Sequence, residues 1–276
     1  MITTDAEVAI AAAQAGAEVV RRDYGAAHVR HMKSATDFAT KTDVDAEKAI
    51  RAILDEHCPH DGVLGEEQGL SGSEAATRRW LVDPLCGTLN FAAGTPIVAV
   101  NVALTGRGRV TAAAAADPIA DEVFWTDGDR AFRRYEDEDA PLEPAAHSML
   151  VDVNCDGPLD RPFVGGQLVA DPRLRATYGP RVVSSTLAVA WVAAGRRAAY
   201  VSDGQFRDNL HFAAGLGVCE AAGCVVTDLA GDTLHTGRGL LVSADDITHR
   251  TMLDIVRPYL ETVLTAPEPP PLSASR

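Results

Sequence analysis

The chain has 276 residues, of which 46% are hydrophobic and 23% are charged. This length suits one large or two closely packed domains, and the composition is that of a soluble globular protein. The formal net charge of −14 would repel nucleic-acid phosphates and argues against a nucleic-acid partner. A small anionic substrate is compatible with this charge if metal ions reverse the local field.

Cysteine usage predicts a reducing, cytoplasmic setting. The five cysteines show no CxxC spacing, and we recognise no secretory signal. The apolar segment 7–20 contains Glu7, Gln14 and Glu18, which is typical of an amphipathic helix, so no membrane partner is expected. The Pro- and Ser-rich tail 265–276 is predicted to be disordered.

The first half of the chain, residues 1–144, is predicted to form an α+β unit. A helix is expected at 4–23, capped by Thr4 or Asp5, and a second amphipathic helix is expected to end at Pro59. Further segments are predicted as a short strand entering an acidic loop within 62–70, a strand over 79–84 ended by Pro84, and two or three strands with glycine-rich turns over 97–126.

The second half, residues 145–264, is predicted to form an α/β layer that closes a cleft against the first half. The charged, Pro-containing segment 135–148 is interpreted as the loop between the halves. Strands and helices then alternate, with strands near 148–153, 181–184, 198–202, 224–228 and 239–243 and helices near 158–176, 186–195, 209–222 and 245–263.

Three segments carry acidic groups where loops can converge. They contain Asp43, the pair Glu66 and Glu67, and the string "DPLCGTLNF" at 83–91. Carboxylates gathered in a cleft are costly unless they are protonated or bound to metal. Oxygen ligands of this kind suit Mg²⁺, which shares its coordination shell with water and substrate phosphate.

The step from Gly87 to Thr88 could open a helix whose N–H groups bind an anionic substrate. Thr88 could then orient or deprotonate a water, with Asp43 as its hydrogen-bond partner. In the alternative interpretation Asp43 and Thr88 are helix caps, Glu66 and Glu67 are solvated acids, and Gly87 is a turn glycine. For any one residue taken alone, this structural interpretation is favoured.

Four strings in order shift that judgement: "TDVDAE" at 42–47, "GEE" at 65–67, "DPLCGTLNF" at 83–91 and "LHFAAGLGVCEAAG" at 210–223. They resemble the inositol monophosphatase family of lithium-sensitive, Mg²⁺-dependent phosphomonoesterases, and the match extends over most of 5–263. The resemblance implies a layered αβαβα sandwich with a metal cleft between its halves. It also implies a homodimer.

The resemblance further implies site residues. Glu66, Asp83 and the carbonyl of Leu85 match the ligands of the family's first metal ion. Thr88 and Asp43 match the pair that activates the attacking water. This agrees with metal-assisted phosphoryl transfer, the chemistry suggested by the acidic segments themselves.

Two departures concern the second metal ion. Cys86 and His211 stand where the family pattern has aspartates, and Asp208 lies one helical turn before His211. Asp83, Cys86 and His211 could together bind Zn²⁺ or another transition metal. Alternatively, the second site is lost, or Cys86 or His211 serves as a catalytic acid, base or nucleophile.

Three functions follow from these alternatives. The first is a metal-dependent phosphomonoesterase acting on a small phosphorylated polyol, sugar or nucleotide, with one Mg²⁺. The second is a repurposed family member that uses Cys86 and His211 for non-hydrolytic chemistry in a specialised biosynthetic pathway. The third is a catalytically inactive binding module.

Overall fold

The computed structural model describes residues 4–26, 30–32, 38–72, 76–145, 147–156, 163–203, 206, 209–234 and 238–264. Asp208, the possible alternative metal ligand, lies outside the described residues. So does the tail 265–276, which is predicted to be disordered. Within the described residues, every helix is too short or too polar to traverse a bilayer.

The first half of the chain contains three helices and ten strands among the described residues. These are α1 (Asp5–Asp23), β1 (Arg30–Met32), β2 (Phe38–Thr40), α2 (Lys41–His57), β3 (Gly62–Gly65), β4 (Gly69–Ser71), β5 (Arg78–Cys86), α3 (Thr88–Ala92), β6 (Ala99–Gly106), β7 (Arg109–Asp117), β8 (Glu122–Thr126), β9 (Ala131–Tyr135) and β10 (Glu138–Pro141).

The second half contributes the remaining elements. These are β11 (Leu150–Val153), α4 (Val164–Ala170), α5 (Pro172–Thr177), β12 (Gly179–Val182), α6 (Leu187–Ala193), β13 (Ala199–Ser202), α7 (Leu210–Ala222), β14 (Val225–Thr227), β15 (Leu240–Ser243) and α8 (Asp246–Leu264).

These elements stack as five layers and confirm the predicted αβαβα sandwich. Helices α1 and α2 cover one face of an eight-stranded sheet of order β10-β9-β8-β7-β6-β5-β3-β4. Helices α6 and α7 lie between that sheet and a five-stranded sheet of order β12-β11-β13-β15-β14. Helices α4, α5 and α8 cover the outer face of the second sheet. Helices therefore pack on both faces of each of these two sheets.

Strands β6 and β7 show why helices can pack on both faces of the first sheet. Their alternate residues divide between the α1/α2 core and the α6/α7 core, because successive side chains of a strand point to opposite faces. Toward α7 the strands present small side chains such as Ala103 and Ala113. A Cβ atom on Gly217 of α7 would lie only 2.6 Å from Cγ1 of Val110. The helix therefore packs closely on the sheet that bears the acidic segments.

Local signals placed most elements correctly. Thr4 caps α1 through a capping box with Glu7, and α2 ends at His57, just before Pro59. The glycine-rich turn after β6 is a hairpin in which Arg107 and Gly108 have positive φ.

Three local predictions need correction. Strand β5 continues through Pro84 to Cys86, with a register shift against β6 after Asp83. The segment interpreted as a loop between halves begins with the β9–β10 hairpin. Of the helix expected at 158–176, residues 158–162 lie outside the described residues, and the described part is divided at Asp171, which caps α5 ahead of Pro172.

Each sheet is assembled from one half of the chain, since the strands of the second sheet all follow Pro141. Helices α6 and α7 of the second half nevertheless pack on the first sheet. The division into domains at 144 and 145 stays a prediction.

Candidate active site

A cavity of about 510 Å³ lies where the acidic segments of the first sheet meet the second half of the chain. Its size fits a small-molecule substrate. Its lining includes Glu66, Cys86, Thr88, Asp156, Ser184 and His211.

Three potential metal ligands converge beside this cavity. One ligand atom each from Glu66, Asp83 and His211 lie within 4.8 Å of one another. Nδ1 of His211 is 2.8 Å from Oδ2 of Asp83 and 3.8 Å from Oε2 of Glu66. Asp83 is fully buried, and its Oδ1 accepts a hydrogen bond of 3.2 Å from the Leu85 N–H.

Strand pairing explains why two of these residues meet. Glu66 follows β3, which runs parallel to β5, and its N–H donates to the Val82 carbonyl at 3.1 Å. Because carboxyl ends of parallel strands lie at the same sheet edge, Glu66 is brought beside Asp83. His211 reaches them from the first turn of α7, where Asn209 caps the helix by accepting the His211 N–H at 3.0 Å.

Asp43 and Thr88 also lie together. The Thr88 hydroxyl is 3.1 Å from Oδ1 of Asp43 and 3.1 Å from the Leu85 carbonyl oxygen. Asp43 is a cap as well, because its Oδ2 accepts the Thr40 N–H at 2.8 Å in the capping box of α2. Burial raises the pKa of the Asp43 carboxyl above its ordinary value, although hydrogen bonds from Thr40 and Thr88 oppose the shift.

Gly87 makes the turn into α3 possible. It adopts φ of 98°, a conformation that strains residues with a side chain, and a Cβ atom there would lie 3.0 Å from the Ile97 carbonyl oxygen. The next residue, Thr88, therefore starts the helix with its hydroxyl directed at Asp43.

Cys86 is not part of this group of potential metal ligands, which among the described residues consists of Glu66, Asp83 and His211. A transition-metal site at Asp83, Cys86 and His211 stays a prediction. The sulfur of Cys86 instead accepts the Thr186 N–H at 3.3 Å. Burial, reinforced by the negative charge of Asp83, raises the pKa of the Cys86 thiol well above its ordinary value.

Two residues near the site were not singled out by sequence reasoning. Glu47 is fully buried and accepts the N–H groups of Glu67 at 2.7 Å and Gln68 at 3.1 Å, which fixes the turn that carries Glu66. A Cβ atom on Gly65 would lie 2.1 Å from Oε1 of Glu47, so glycine permits this approach. The signal was available, since Glu47 ends the string at 42–47.

Asn90 is the second such residue. Its Nδ2 donates to the Ile97 carbonyl at 2.9 Å and to the Ser184 carbonyl at 2.8 Å. It thereby ties the helix that begins at Thr88 to the second half of the chain. Asn90 belongs to the string at 83–91, but only the fold identifies its partners.

Comparison with known proteins agrees with this arrangement. The profile described as "Inositol monophosphatase family" matches residues 1–261. An inositol-1-monophosphatase of Mesorhizobium japonicum is 33% identical over 91% of this chain and 95% of its own length. Another, from Caulobacter vibrioides, is 31% identical over 90% of this chain and 99% of its own length.

A solved structure gives the same result at the level of the fold. The extragenic suppressor protein suhB from Bartonella henselae superposes with a TM-score of 0.77 at 28% identity, covering 90% of this chain and 96% of that one. The full-length profile match and two relatives above 30% identity leave one assignment: this chain belongs to the inositol monophosphatase family.

Proposed function

We propose that the protein is a Mg²⁺-dependent phosphomonoesterase acting on a small phosphorylated polyol, sugar or nucleotide. The observation that carries this proposal is the contact between Thr88 and Asp43 beside the clustered Glu66 and Asp83. Family membership supports the same reaction class, since the relatives from Mesorhizobium japonicum and Caulobacter vibrioides are named inositol-1-monophosphatases.

Glu66, Asp83 and the carbonyl of Leu85 would hold the ion. Their oxygen atoms are the donors that Mg²⁺ prefers, and two adjacent carboxylates supply the negative charge that a cation neutralises. When bound there, the ion would supply charge stabilisation to the phosphoryl group and acidify a water.

Asp43 and Thr88 would prepare that water. The Thr88 hydroxyl has one proton and two acceptors at 3.1 Å, so it donates to either Asp43 or Leu85 at a given moment. Its lone pairs can then accept from a water and orient it. Because burial raises its pKa, Asp43 is a better proton acceptor than an ordinary aspartate. The backbone N–H groups of Gly87 and Thr88 would face the phosphate.

We assign one Mg²⁺ to the site, because the imidazole of His211 contacts Asp83 where the family pattern has a carboxylate. Zn²⁺ binding by Asp83, Cys86 and His211 is less consistent with the geometry, since Cys86 lies outside the clustered group. Burial also raises the pKa of the Cys86 thiol, which disfavours the thiolate form that a nucleophilic role in non-hydrolytic chemistry requires.

Phosphate release from a broad panel of monoesters tests the proposal. We expect hydrolysis that requires Mg²⁺, stops with chelator, and falls by about 100-fold or more in Glu66→Gln. Glu56→Gln, an exposed carboxylate of α2, is the matched control and should keep full activity. If no monoester is hydrolysed with any divalent ion, the proposal is wrong.

Homodimer formation and a cytoplasmic location stay predictions. Light scattering of the purified protein would measure the first, and cell fractionation the second. A monomer at micromolar concentration would contradict the expected assembly without bearing on the chemistry of the cavity.

A further inference from the structure

Two cysteines meet at the end of α7, away from the candidate active site. All five cysteines of the chain are free thiols in the structure. Cys219 lies in the last turn of α7, and Cys224 stands two residues beyond the helix, directly before β14. Both side chains pack in the core between the two large sheets, where Cys219 is fully buried and Cys224 is partly buried.

The chain leaves α7 through a Schellman motif. The Gly223 N–H donates to the Glu220 carbonyl at 3.1 Å, and the Cys224 N–H donates to the Cys219 carbonyl at 2.9 Å. Gly223 has a φ of 86°, the left-handed conformation that this helix end requires. The motif commonly brings the side chains of its first and last hydrogen-bonded residues into contact. Here those residues are Cys219 and Cys224, so the turn itself holds two thiols side by side.

The thiol of Cys219 responds to its neighbour. Burial is the main cause that raises its pKa well above the ordinary value, and a hydrogen bond to Cys224 and the charge of Cys224 raise the pKa further. The Cys219 thiol also donates to the Val189 carbonyl at 3.2 Å. Burial thus disfavours the Cys219 thiolate, and Cys224 is the member of the pair that solvent can reach.

Two adjacent thiols of unequal exposure suit stepwise thiol–disulfide exchange. The Cys224 thiolate attacks a low-molecular-weight disulfide, which forms a mixed disulfide and releases one small thiol. Cys219 then gives up its proton and attacks the Cys224 sulfur, which forms the bond between the two cysteines and releases the second small thiol. The two protein thiols lose two electrons in total, and the small disulfide gains them together with the two protons.

The resulting bond would join the last turn of α7 to the residue before β14. A disulfide requires Cβ atoms about 3.5–4.5 Å apart, a separation that side chains in direct contact provide. The two backbone hydrogen bonds of the Schellman motif already shape the ring that the bond would close. Because such a ring restricts the unfolded chain, oxidation should stabilise the folded protein.

We infer that Cys219 and Cys224 are a redox-active pair, which low-molecular-weight disulfides convert into an intramolecular disulfide that fastens the end of α7 to β14. Reduction returns the pair to the free thiols seen in the structure. Neither cysteine is among the described residues that line the cavity. The inference is therefore independent of the proposed phosphomonoesterase activity, and its test needs no substrate.

Peptide mapping detects the bond. The folded protein is treated with glutathione disulfide, its remaining thiols are alkylated, and the denatured chain is cleaved by a protease specific for glutamate. Glu220 lies between the two cysteines, so cleavage there leaves Cys219 and Cys224 on separate peptides. We expect these peptides to stay joined in most wild-type chains and to separate after reduction. Recovery of both cysteines as alkylated thiols would overturn the inference.

Cys219→Ala should trap the intermediate of the exchange. This variant keeps Cys224 but lacks the second thiol, so glutathione should remain attached to Cys224 in most chains. Wild type should carry about one tenth of that adduct or less, because Cys219 displaces it. A glutathione adduct that persists on Cys224 of wild type would show that Cys219 does not complete the exchange, and the inference would be wrong.

Two further variants control for folding and for other thiols. Cys224→Ser changes the partly buried position and leaves the core intact, and it should take up no glutathione at the buried Cys219. Cys58→Ser removes another partly buried cysteine and should form the disulfide between Cys219 and Cys224 with the yield of wild type. Loss of the disulfide in Cys58→Ser would mean that Cys219 and Cys224 are not a self-sufficient pair.

Thermal unfolding tests whether the bond fastens the helix end. Oxidised wild type should unfold about 2–4 °C above reduced wild type, the scale expected for a short ring in a chain of this length. Cys224→Ser treated in the same way should show no shift, which separates the pair from the remaining cysteines. If oxidised wild type unfolds at or below the temperature of the reduced protein, the disulfide does not fasten α7 to β14 and the inference is overturned.

Discussion

Nδ1 of His211 lies 2.8 Å from Oδ2 of Asp83, so an imidazole directly contacts a buried carboxylate at the centre of the cleft. The family pattern has a third carboxylate at this position and a fourth at Cys86. Replacing both removes about two negative charges and two oxygen ligands from the site, so less cation is needed to balance the acids that remain.

The number of bound ions follows from this charge count. Wild type should bind one Mg²⁺ per chain, and the double variant Cys86→Asp with His211→Asp should bind two, because it regains two hard ligands beside Asp83. Calorimetry or equilibrium dialysis measures the stoichiometry. The variant Cys86→Ala with His211→Ala is the control and should still bind one ion. Binding of two Mg²⁺ ions per wild-type chain would contradict the assignment of one ion and would mean that a second metal site persists with Cys86 and His211 in place.

Thr88 gives the sharpest test of the water-preparing pair. Thr88→Ala removes the hydroxyl that contacts Asp43 at 3.1 Å, and kcat should fall by about 10²- to 10³-fold, the usual range for loss of acid–base assistance. Thr88→Ser keeps the hydroxyl and should retain most of the activity. Phosphate release at saturating substrate measures both. Equal losses in the two variants would mean that the methyl group matters and the hydroxyl does not.

Glu47 should act on the metal through the turn that carries Glu66. Glu47→Gln keeps the shape but removes the charge that pairs with Arg51 at 2.8 Å and accepts two backbone N–H groups. We expect a loss of about 2–3 kcal/mol in the free energy of unfolding, since a buried charged network is broken. The Mg²⁺ concentration needed for half-maximal activity should rise several-fold.

Urea denaturation measures the first effect, and a Mg²⁺ titration of phosphate release measures the second. High Mg²⁺ should restore most of kcat in Glu47→Gln under conditions where denaturation shows the variant to be folded without Mg²⁺, so that global destabilisation does not account for the rescue. If the Mg²⁺ dependence of Glu47→Gln equals that of wild type, Glu47 does not position Glu66 for metal binding. Glu56→Gln serves again as the exposed control on the same helix.

The sequence predicts what depends on local chemistry. The cap at Thr4, the glycine turn at Gly108 and the helix end before Pro59 each follow from a few neighbouring residues. The hairpin of β9 and β10 was missed because its charged segment 135–141 lacks the alternation of a half-buried strand. Pairing of β10 with β9 at the edge of the first sheet outweighs the low strand propensity of these charged residues.

The sequence likewise identifies some features of the candidate site and leaves others to the fold. Its four strings could be found in one dimension, and they led to Asp43, Glu66, Asp83 and Thr88. The strings did not show that Glu66, and not Cys86, lies with both Asp83 and His211. Glu66 reaches them through the parallel pairing of β3 with β5, while the sulfur of Cys86 accepts the Thr186 N–H. Such long-range partners depend on the fold and not on spacing.

Gly217 limits how closely α7 can approach the first sheet. In Gly217→Ala the new Cβ would meet Cγ1 of Val110 at 2.6 Å, and valine has little rotamer freedom to move away. Overpacking costs about 1–3 kcal/mol, whereas alanine gains about 1 kcal/mol of helix propensity, so we expect a net loss of about 1 kcal/mol. Thermal or urea unfolding measures it.

A compensating change identifies the cause. Adding Val110→Ala to Gly217→Ala removes the contacting methyl groups and should recover stability relative to Gly217→Ala alone. Non-additivity of this pair is the signature of direct contact. If the two effects simply add, the close approach of α7 to β7 is not what makes glycine necessary.

Asp171 links α5 to α8 and should make stability depend on pH. Burial acts to raise the pKa of its carboxyl, but hydrogen bonds from Arg173, Tyr259 and the Leu174 N–H outweigh burial and lower the pKa to about 2. The folded pKa lies below the unfolded value. The stabilisation is therefore fully present above about pH 4 and is lost as the pH falls toward 2, amounting to about 2 kcal/mol.

Urea unfolding of wild type and Asp171→Asn at pH 6, 4 and 3 isolates this contribution. The stability difference between the two proteins should be largest at pH 6 and should shrink at pH 3, because protonation removes the charge in wild type as the substitution does at every pH. Tyr259→Phe retains the carboxylate and should show a smaller loss with the same direction of pH dependence. Because Arg173 is half-exposed, added salt should weaken part of the effect. A difference that stays constant from pH 6 to pH 3 would mean that Asp171 stabilises the junction of α5 and α8 through shape and not through its charge.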